Sequence, residues 1–225
     1  MNRKPDILTA CPLLRDRHSI LASRAEAERA EPVRLHDQFI MLKQAGQNAG
    51  SPPRIVWGLH ATPFGDMLLA ATGGAICWLA FIAEVGVSSE LERLQARWRD
   101  ATFAEGADAT AALAAQVFAV QRCASAPLQL EVRGTDFQVR VWRALLNIPA
   151  GAVASYQALA DSLGSASASR AVASAIARNP VGYLVPCHRI IRSDGDPGGF
   201  RWGINMKRMM LEREATLSIR EYAAG

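Results

Sequence analysis

A cysteine set between a proline and a histidine is the point in this 225-residue chain where residue types and spacing best suit chemistry. The run is Leu184-Val185-Pro186-Cys187-His188-Arg189-Ile190-Ile191, apolar on both flanks. A lone buried cysteine is ordinarily a small hydrophobe. Three neighbours argue for a nucleophile instead. His188 is adjacent, Arg189 adds positive charge, and Pro186 fixes the backbone that aims the thiol. A free thiol titrates near ~8.5, so only a few per cent is thiolate at neutral pH, and attack on carbon needs the thiolate. A histidine can take the proton, directly or through water, when a third group orients it. On a strand the two side chains would point to opposite faces, which favours the water.

The other cysteines, Cys11, Cys77 and Cys123, are far apart, and no Cys-x-x-Cys pair suggests a zinc knuckle or redox dithiol. Charges at Arg3, Lys4, Asp6, Arg15, Asp16 and Arg17 leave no apolar signal core, so a cytoplasmic protein with reduced thiols is expected. The most apolar window, Met67–Ala83, is broken by Thr72-Gly73-Gly74 and reads as a hairpin rather than a membrane span. Half of the residues are hydrophobic and 20% are charged, a globular balance. The net charge of +4 permits an anionic partner without demanding one.

These groups need elements to position them. Residues 1 to about 44 are polar and helix-prone, with helices predicted over Ala22–Arg29 and Leu35–Lys43, and Ala45–Arg54 reads as a linker. Strands are predicted at Ile55–His60, Asp66–Ala71 and Ala75–Ile82, with Gly73-Gly74 turning a hairpin. Helices come next over Ser88–Arg99 and Ala109–Val120, then a strand at Leu128–Val132. Phe137, Val141, Trp142, Leu145 and Leu146 make an apolar helix stripe that stops before Pro149. Ser155-Tyr156-Gln157 opens a short helix ending near Leu163-Gly164. Another spans about Ser167–Arg178, and the two outline a helix-turn-helix.

The run around Cys187 resembles the active-site sequence of the O6-alkylguanine-DNA alkyltransferases, the methylated-DNA–protein-cysteine methyltransferases. The likeness is greatest to the alkyltransferase domain of Ada-type bacterial adaptive-response proteins. It extends from Phe137-Gln138-Val139-Arg140-Val141-Trp142 through Ser155–Ala160, Arg170–Ala173 and Asn179-Pro180 to Pro186-Cys187-His188-Arg189. It continues through Gly199-Phe200-Arg201-Trp202-Gly203 and Lys207 to Glu214, and covers about residues 135–215. The resemblance implies that Cys187 accepts the alkyl group, His188 is the base acting through water, and Glu214 holds the histidine. It makes Asn179 the link between the helix-turn-helix and the active-site loop. Tyr156 would rotate the target nucleotide's phosphate, and Arg170 would fill the vacated place in the base stack. Both suit base flipping, since O6 of a paired guanine cannot reach a buried thiol. The small residues Ala166, Ser167, Ala168, Ala171 and Ser174 would let the second helix approach the minor groove, which carries little sequence information. Gln157, Ser165 and Ser193 are candidate phosphate contacts, and Phe200 is placed with the substrate-binding residues.

The expected fold is an α/β ribonuclease-H-like domain over 55–134, then a mainly α domain over 135–217 with a helix-turn-helix of winged-helix type. Residues 1–54 form a helical extension and linker, and 218–225 a tail. Arg34–Ile40 resembles the end of an AraC-like helix-turn-helix, so the extension reads as a remnant. Some family members hold zinc in the first domain. Cys11, His18, His60 and Cys77 do not match that pattern, so no metal is expected, and the chemistry requires no cofactor. The expected activity is a single, irreversible transfer of a methyl or other alkyl group from O6 of guanine, and from O4 of thymine, in double-stranded DNA. A monomer is expected, without membrane contact. The competing reading is a DNA-binding protein without chemistry, either a damage-recognition relative or a truncated regulator.

Overall fold

The computed structural model describes residues 15–16, 33–35, 38–46, 51–82, 86–118 and 127–223. The strands are β1 (Arg15–Asp16), β2 (Val33–Leu35), β3 (Gln38–Gln44), β4 (Arg54–Thr62), β5 (Gly65–Thr72), β6 (Ala75–Phe81), β7 (Thr102–Glu105), β8 (Leu128–Val132), β9 (Ala152–Ser155) and β10 (Ile190–Ile191). The helices are α1 (Gly86–Arg97), α2 (Ala107–Phe118), α3 (Asp136–Leu146), α4 (Tyr156–Ser162), α5 (Ser169–Ala177) and α6 (Ile204–Ala223).

A mixed seven-stranded sheet runs in the order β2-β3-β8-β6-β5-β4-β7. Its centre is the antiparallel meander β4-β5-β6, turned between β5 and β6 by Gly73 and Gly74, whose φ values of 55° and 82° suit glycine. Met67, Leu68 and Leu69 are consecutive and all fully buried, so β5 is covered on both faces. Helix α2 crosses β4 where Gly58 leaves room, since a Cβ there would lie 2.6 Å from the Ala107 backbone.

Several features differ from the sequence expectation, which contains none of the strands β1, β9 and β10. Leu35–Lys43 is not a helix: β2 and β3 occupy it, and β3 runs parallel to β8 with Ile40 beside Leu128 and Leu42 beside Leu130. Ile40 and Leu42 are buried while Lys43 is exposed, so pairing with a neighbouring strand overrides a composition that suits helix. The sheet therefore takes in residues before position 55. Strand β7, at the sheet edge, was not foreseen. The predicted helix Ala22–Arg29 lies outside the described residues.

The second layer is helical. Thr135 caps α3 in a capping box with Gln138, and Val139, Trp142 and Leu145 face inward. The Trp142 indole donates to Ala175 O at 2.9 Å, tying α3 to α5. Ser155 caps α4, Gly164 turns the chain at φ 65°, and a 3-10 turn at Ala166–Ala168 leads into α5. β9 pairs in parallel with β10 and with β1.

The two layers meet at β6. Leu79 N–H donates to Pro180 O and Gly182 N–H to Leu79 O, each at 2.9 Å, so the segment after α5 adds itself to the sheet. Trp202, 2% exposed, lies so close that a Cβ on Gly182 would sit 2.3 Å from its ring. Gly182→Ala is therefore expected to cost ~1–3 kcal/mol through overpacking. A thermal melt checks this, with the midpoint falling ~2–4 °C per kcal/mol for a chain of this size.

Candidate active site

The chain leaves α5 at Asn179, and this one buried side chain organises the loop that leads to Cys187. Asn179 Oδ1 accepts from Val181 N–H at 3.0 Å, and Nδ2 donates to Val185 O at 2.8 Å and to Cys187 Sγ at 3.3 Å. Between them, Tyr183 takes φ 63°, the one non-glycine residue with positive φ among the described residues. Such strain persists only where packing fixes it. The Tyr183 ring lies 4.9 Å from Phe118 and stacks on His188 at 5.9 Å with an interplanar angle of 11°. Cys187–Arg189 then forms a 3-10 turn rather than a strand, so successive side chains diverge by ~120°.

The two residues after the cysteine enter a buried charge cluster. His188 Nε2 meets Glu214 Oε1 at 2.6 Å, and both side chains are fully buried. Arg189, also fully buried, grips the same carboxylate with Nε to Oε2 at 2.9 Å and Nη2 to Oε1 at 2.8 Å. Its Nη1 donates to Ile148 O, and Gly151 N–H reaches Glu214 Oε2 at 3.4 Å. The bidentate guanidinium compensates the carboxylate, which is thereby held to orient the imidazole. With Nε2–H directed at Glu214, the lone pair resides on Nδ1.

Cys187 is 7% exposed, and burial pushes its thiol up from the ordinary range. The Asn179 amide and the charges of Lys207 and Arg201 pull the other way. Lys207, fully buried near the start of α6, donates to Ile190 O and Pro197 O, and burial brings it down to about 8. Tyr156 is raised by burial and by the nearby Cys187. Its ring lies beside Gly198, where a Cβ would come 3.4 Å from Oη.

The fold thus brings Cys187, His188, Glu214 and Asn179 together, with Tyr156 on the same site. Arg170 is exposed in the first turn of α5. Gln157 is exposed but tied, its Nε2 donating to Asp161 Oδ1 at 2.9 Å and Ala166 O at 2.8 Å. Ser165 lies in the turn between α4 and α5, Ser193 is exposed in the turn after β10, and Phe200 packs edge-on to Trp202 at 5.3 Å. Among the described residues no group of three His, Cys, Asp or Glu is arranged to hold a metal. His60 instead meets Thr110 Oγ1 at 2.8 Å, and Cys77 is buried with its thiol pushed up by desolvation.

Sequence reasoning overlooked the part of Arg189, whose charge it assigned to the thiol, and gave Lys207 none. A signal existed: Lys207 and Glu214 sit seven residues apart on the helix face of Met206, Met210 and Leu211, which is no place for a solvated charge.

The family model described as "6-O-methylguanine DNA methyltransferase, DNA binding domain" matches residues 136–216. The methylated-DNA–protein-cysteine methyltransferase of Mycobacterium leprae is 34% identical over 153 residues, 68% of this chain and 88% of that protein. The bifunctional transcriptional activator/DNA repair enzyme Ada of Escherichia coli is 50% identical over 95 residues, 42% of this chain but only 27% of that protein. The crystal structure of Mycobacterium tuberculosis O6-methylguanine methyltransferase aligns with TM-score 0.58 at 34% identity, over 72% of this chain and 93% of that one.

Proposed function

Since the chain belongs to the methylated-DNA–protein-cysteine methyltransferase family, we propose that it repairs DNA by moving an alkyl group from O6 of guanine, and from O4 of thymine, onto Cys187. The observation that carries this reading is a thiol held by Asn179 and followed directly in the chain by the histidine of a buried imidazole–carboxylate pair. We read the sheet layer as ribonuclease-H-like, extended by β3, and α4–turn–α5 as the helix-turn-helix of a winged-helix-type domain over 135–217. No described helix is long and apolar enough to cross a membrane. A cytoplasmic monomer acting on double-stranded DNA suits this reading.

The chemistry is an in-line displacement. His188 Nδ1 takes the Cys187 proton through a water, and Glu214 stabilises the imidazolium. The thiolate attacks the alkyl carbon, a C–S bond forms, and the C–O6 bond breaks with its electron pair leaving on the guanine. Tyr156 offers its phenolic proton to the departing base. The thioether has no hydrolysable bond, so each molecule acts once. Asn179 and Lys207 stabilise the thiolate before attack.

The base must first leave the duplex, at a cost of a few kcal/mol. Arg170, exposed on α5, enters the gap and recovers part of that cost. Ser165 and Ser193 supply phosphate contacts, and Gln157 joins them by turning its amide away from Asp161 or Ala166. Phe200 lines the pocket for the everted base. Arg170→Ala is expected to slow transfer from duplex DNA by ~10-fold or more, with the thermal midpoint unchanged because the side chain is solvated. Tyr156→Phe slows transfer by removing the proton donor. Equal single-turnover rates for variant and wild type would remove these two assignments.

The deciding experiment incubates the full chain with an O6-methylguanine duplex and weighs the intact protein. One methyl gained per molecule, mapped to the Cys187 peptide, is the expected result. Binding without any mass gain would leave a damage-recognition protein and end the transferase reading.

A further inference from the structure

Arg97, in the last turn of α1, is half-buried at the joint between the two layers. Its Nη1 donates to Arg133 O at 2.6 Å, in the connection from β8 to α3, and its Nη2 donates to Arg178 O at 3.2 Å, at the end of α5. The guanidinium carbon lies 5.6 Å from the Trp142 ring centroid. Helix α1 is itself fixed against the helical layer, because Glu90, fully buried, accepts from Arg201 Nη2. Burial, and the charges of Arg201 and Arg178, push the Arg97 pKa down. A cation kept there against those costs calls for a reason of position.

The carbonyl that Arg97 grips belongs to the peptide joining Arg178 to Asn179. That peptide is held at both ends: Arg97 donates to its oxygen, and its N–H donates to Ile176 O at 3.1 Å. One residue later, Pro180 O accepts from Leu79 N–H at 2.9 Å. The backbone of Asn179 is thus bracketed by two anchors from the sheet layer, a strand amide and the Arg97 side chain. The last carbonyls of a helix lack partners within it, and a guanidinium supplies one together with the charge that this end favours. From this bracket the Asn179 amide reaches Cys187 Sγ at 3.3 Å.

We propose that Arg97 is a positioning residue for the acceptor thiol: by holding Arg178 O it sets the backbone of Asn179, and so the hydrogen bond from Asn179 Nδ2 to Cys187 Sγ. The inference rests on the reading of Cys187 as the nucleophile. The sheet layer thereby acts on a reaction carried out in the helical one.

The test is the pH dependence of Cys187 alkylation by iodoacetamide in the full chain, read on the Cys187 peptide. A hydrogen bond to the thiolate lowers a thiol's pKa, so weakening that bond raises the midpoint. Arg97→Met keeps an unbranched stem against Trp142 and removes both donors. Its midpoint is expected to move up, slowing alkylation near neutral pH by ~3-fold or more. Tyr156, Lys207 and Arg201, which also bear on the thiol, and the adjacent His188 are all kept in this variant. A lowered melting temperature with a wild-type profile would mean that Arg97 serves stability alone, and the proposal falls. A through-space effect of the lost charge would fade in ~1 M salt, where the Debye length is only ~3 Å. The shift must survive there, and its loss overturns the proposal. Combination with Asn179→Ala gives a second decision. Asn179→Ala alone raises the midpoint, and adding Arg97→Met must then move it little, because the contact it acts through is gone. Additive shifts overturn the proposal, and if Asn179→Ala does not fold, the salt series on Arg97→Met still decides. A wild-type chain that takes no methyl from an O6-methylguanine duplex would end the transferase reading, while the iodoacetamide profiles would still decide the role of Arg97.

Discussion

Cys187→Ser is expected to abolish methyl gain from an O6-methylguanine duplex completely while lowering the thermal midpoint by no more than a few degrees. The two halves have separate causes. Serine has nearly the shape of cysteine, and Asn179 Nδ2, which now donates to Sγ at 3.3 Å, can donate to the hydroxyl instead. The added polar group is thus paired, and the cost stays near ~1 kcal/mol. The chemistry is lost because an alcohol is far less acidic than a thiol, and the His188–Glu214 pair cannot bring it to a useful fraction of alkoxide. Binding to unmodified duplex, set by phosphate contacts, should persist and weaken with salt. A methyl gain surviving in the serine variant would place the acceptor elsewhere and undo the assignment.

Much of the sheet was legible because its strands carry their own punctuation. The β4-β5-β6 meander has apolar runs of strand length separated by Thr62-Pro63 and Gly73-Gly74, and the structure closes it there. The stretch Phe39-Ile40-Met41-Leu42 failed for the opposite reason. A four-residue apolar run fits either a helix or a strand, and only the neighbouring β8, some ninety residues on, decides between them. β7 was hidden because Thr102–Glu105 is short and lies at the edge, with no fully buried residue to impose a pattern.

In the site, local signals were readable and distant ones were not. Pro186-Cys187-His188-Arg189 identifies itself by adjacency. Glu214 was found only through the resemblance, since a glutamate in a helix rich in charge ordinarily faces solvent. Glu90 had no signal of that kind. It sits in Ser88-Ser89-Glu90-Leu91-Glu92-Arg93, which reads as an exposed helix turn, and its burial follows from Arg201 and Trp78 meeting it in space. Charges buried by tertiary contact leave little trace in local sequence, because the same letters serve a solvated face.

Glu214→Ala is expected to destabilise the protein by ~3–5 kcal/mol, because it leaves Arg189 charged and uncompensated in a fully buried place. With ~2–4 °C lost per kcal/mol, the melting midpoint should fall by ~6–20 °C. Transfer should fall by ~10²–10⁴-fold through loss of an oriented base, but that variant confounds chemistry with folding. Glu214→Gln separates them. An amide NH₂ in the place of Oε2 would face two donors, Arg189 Nε and Gly151 N–H, whereas in the place of Oε1 it faces only Arg189 Nη2 and can donate to His188. The second orientation is favoured. It forces the His188 lone pair onto Nε2 and the proton onto Nδ1, so the imidazole presents a donor where the reaction needs an acceptor. The glutamine variant should therefore keep more stability than the alanine variant and lose about as much transfer. If it instead transfers methyl at the wild-type rate, His188 is not the base, and the carboxylate serves only to neutralise Arg189.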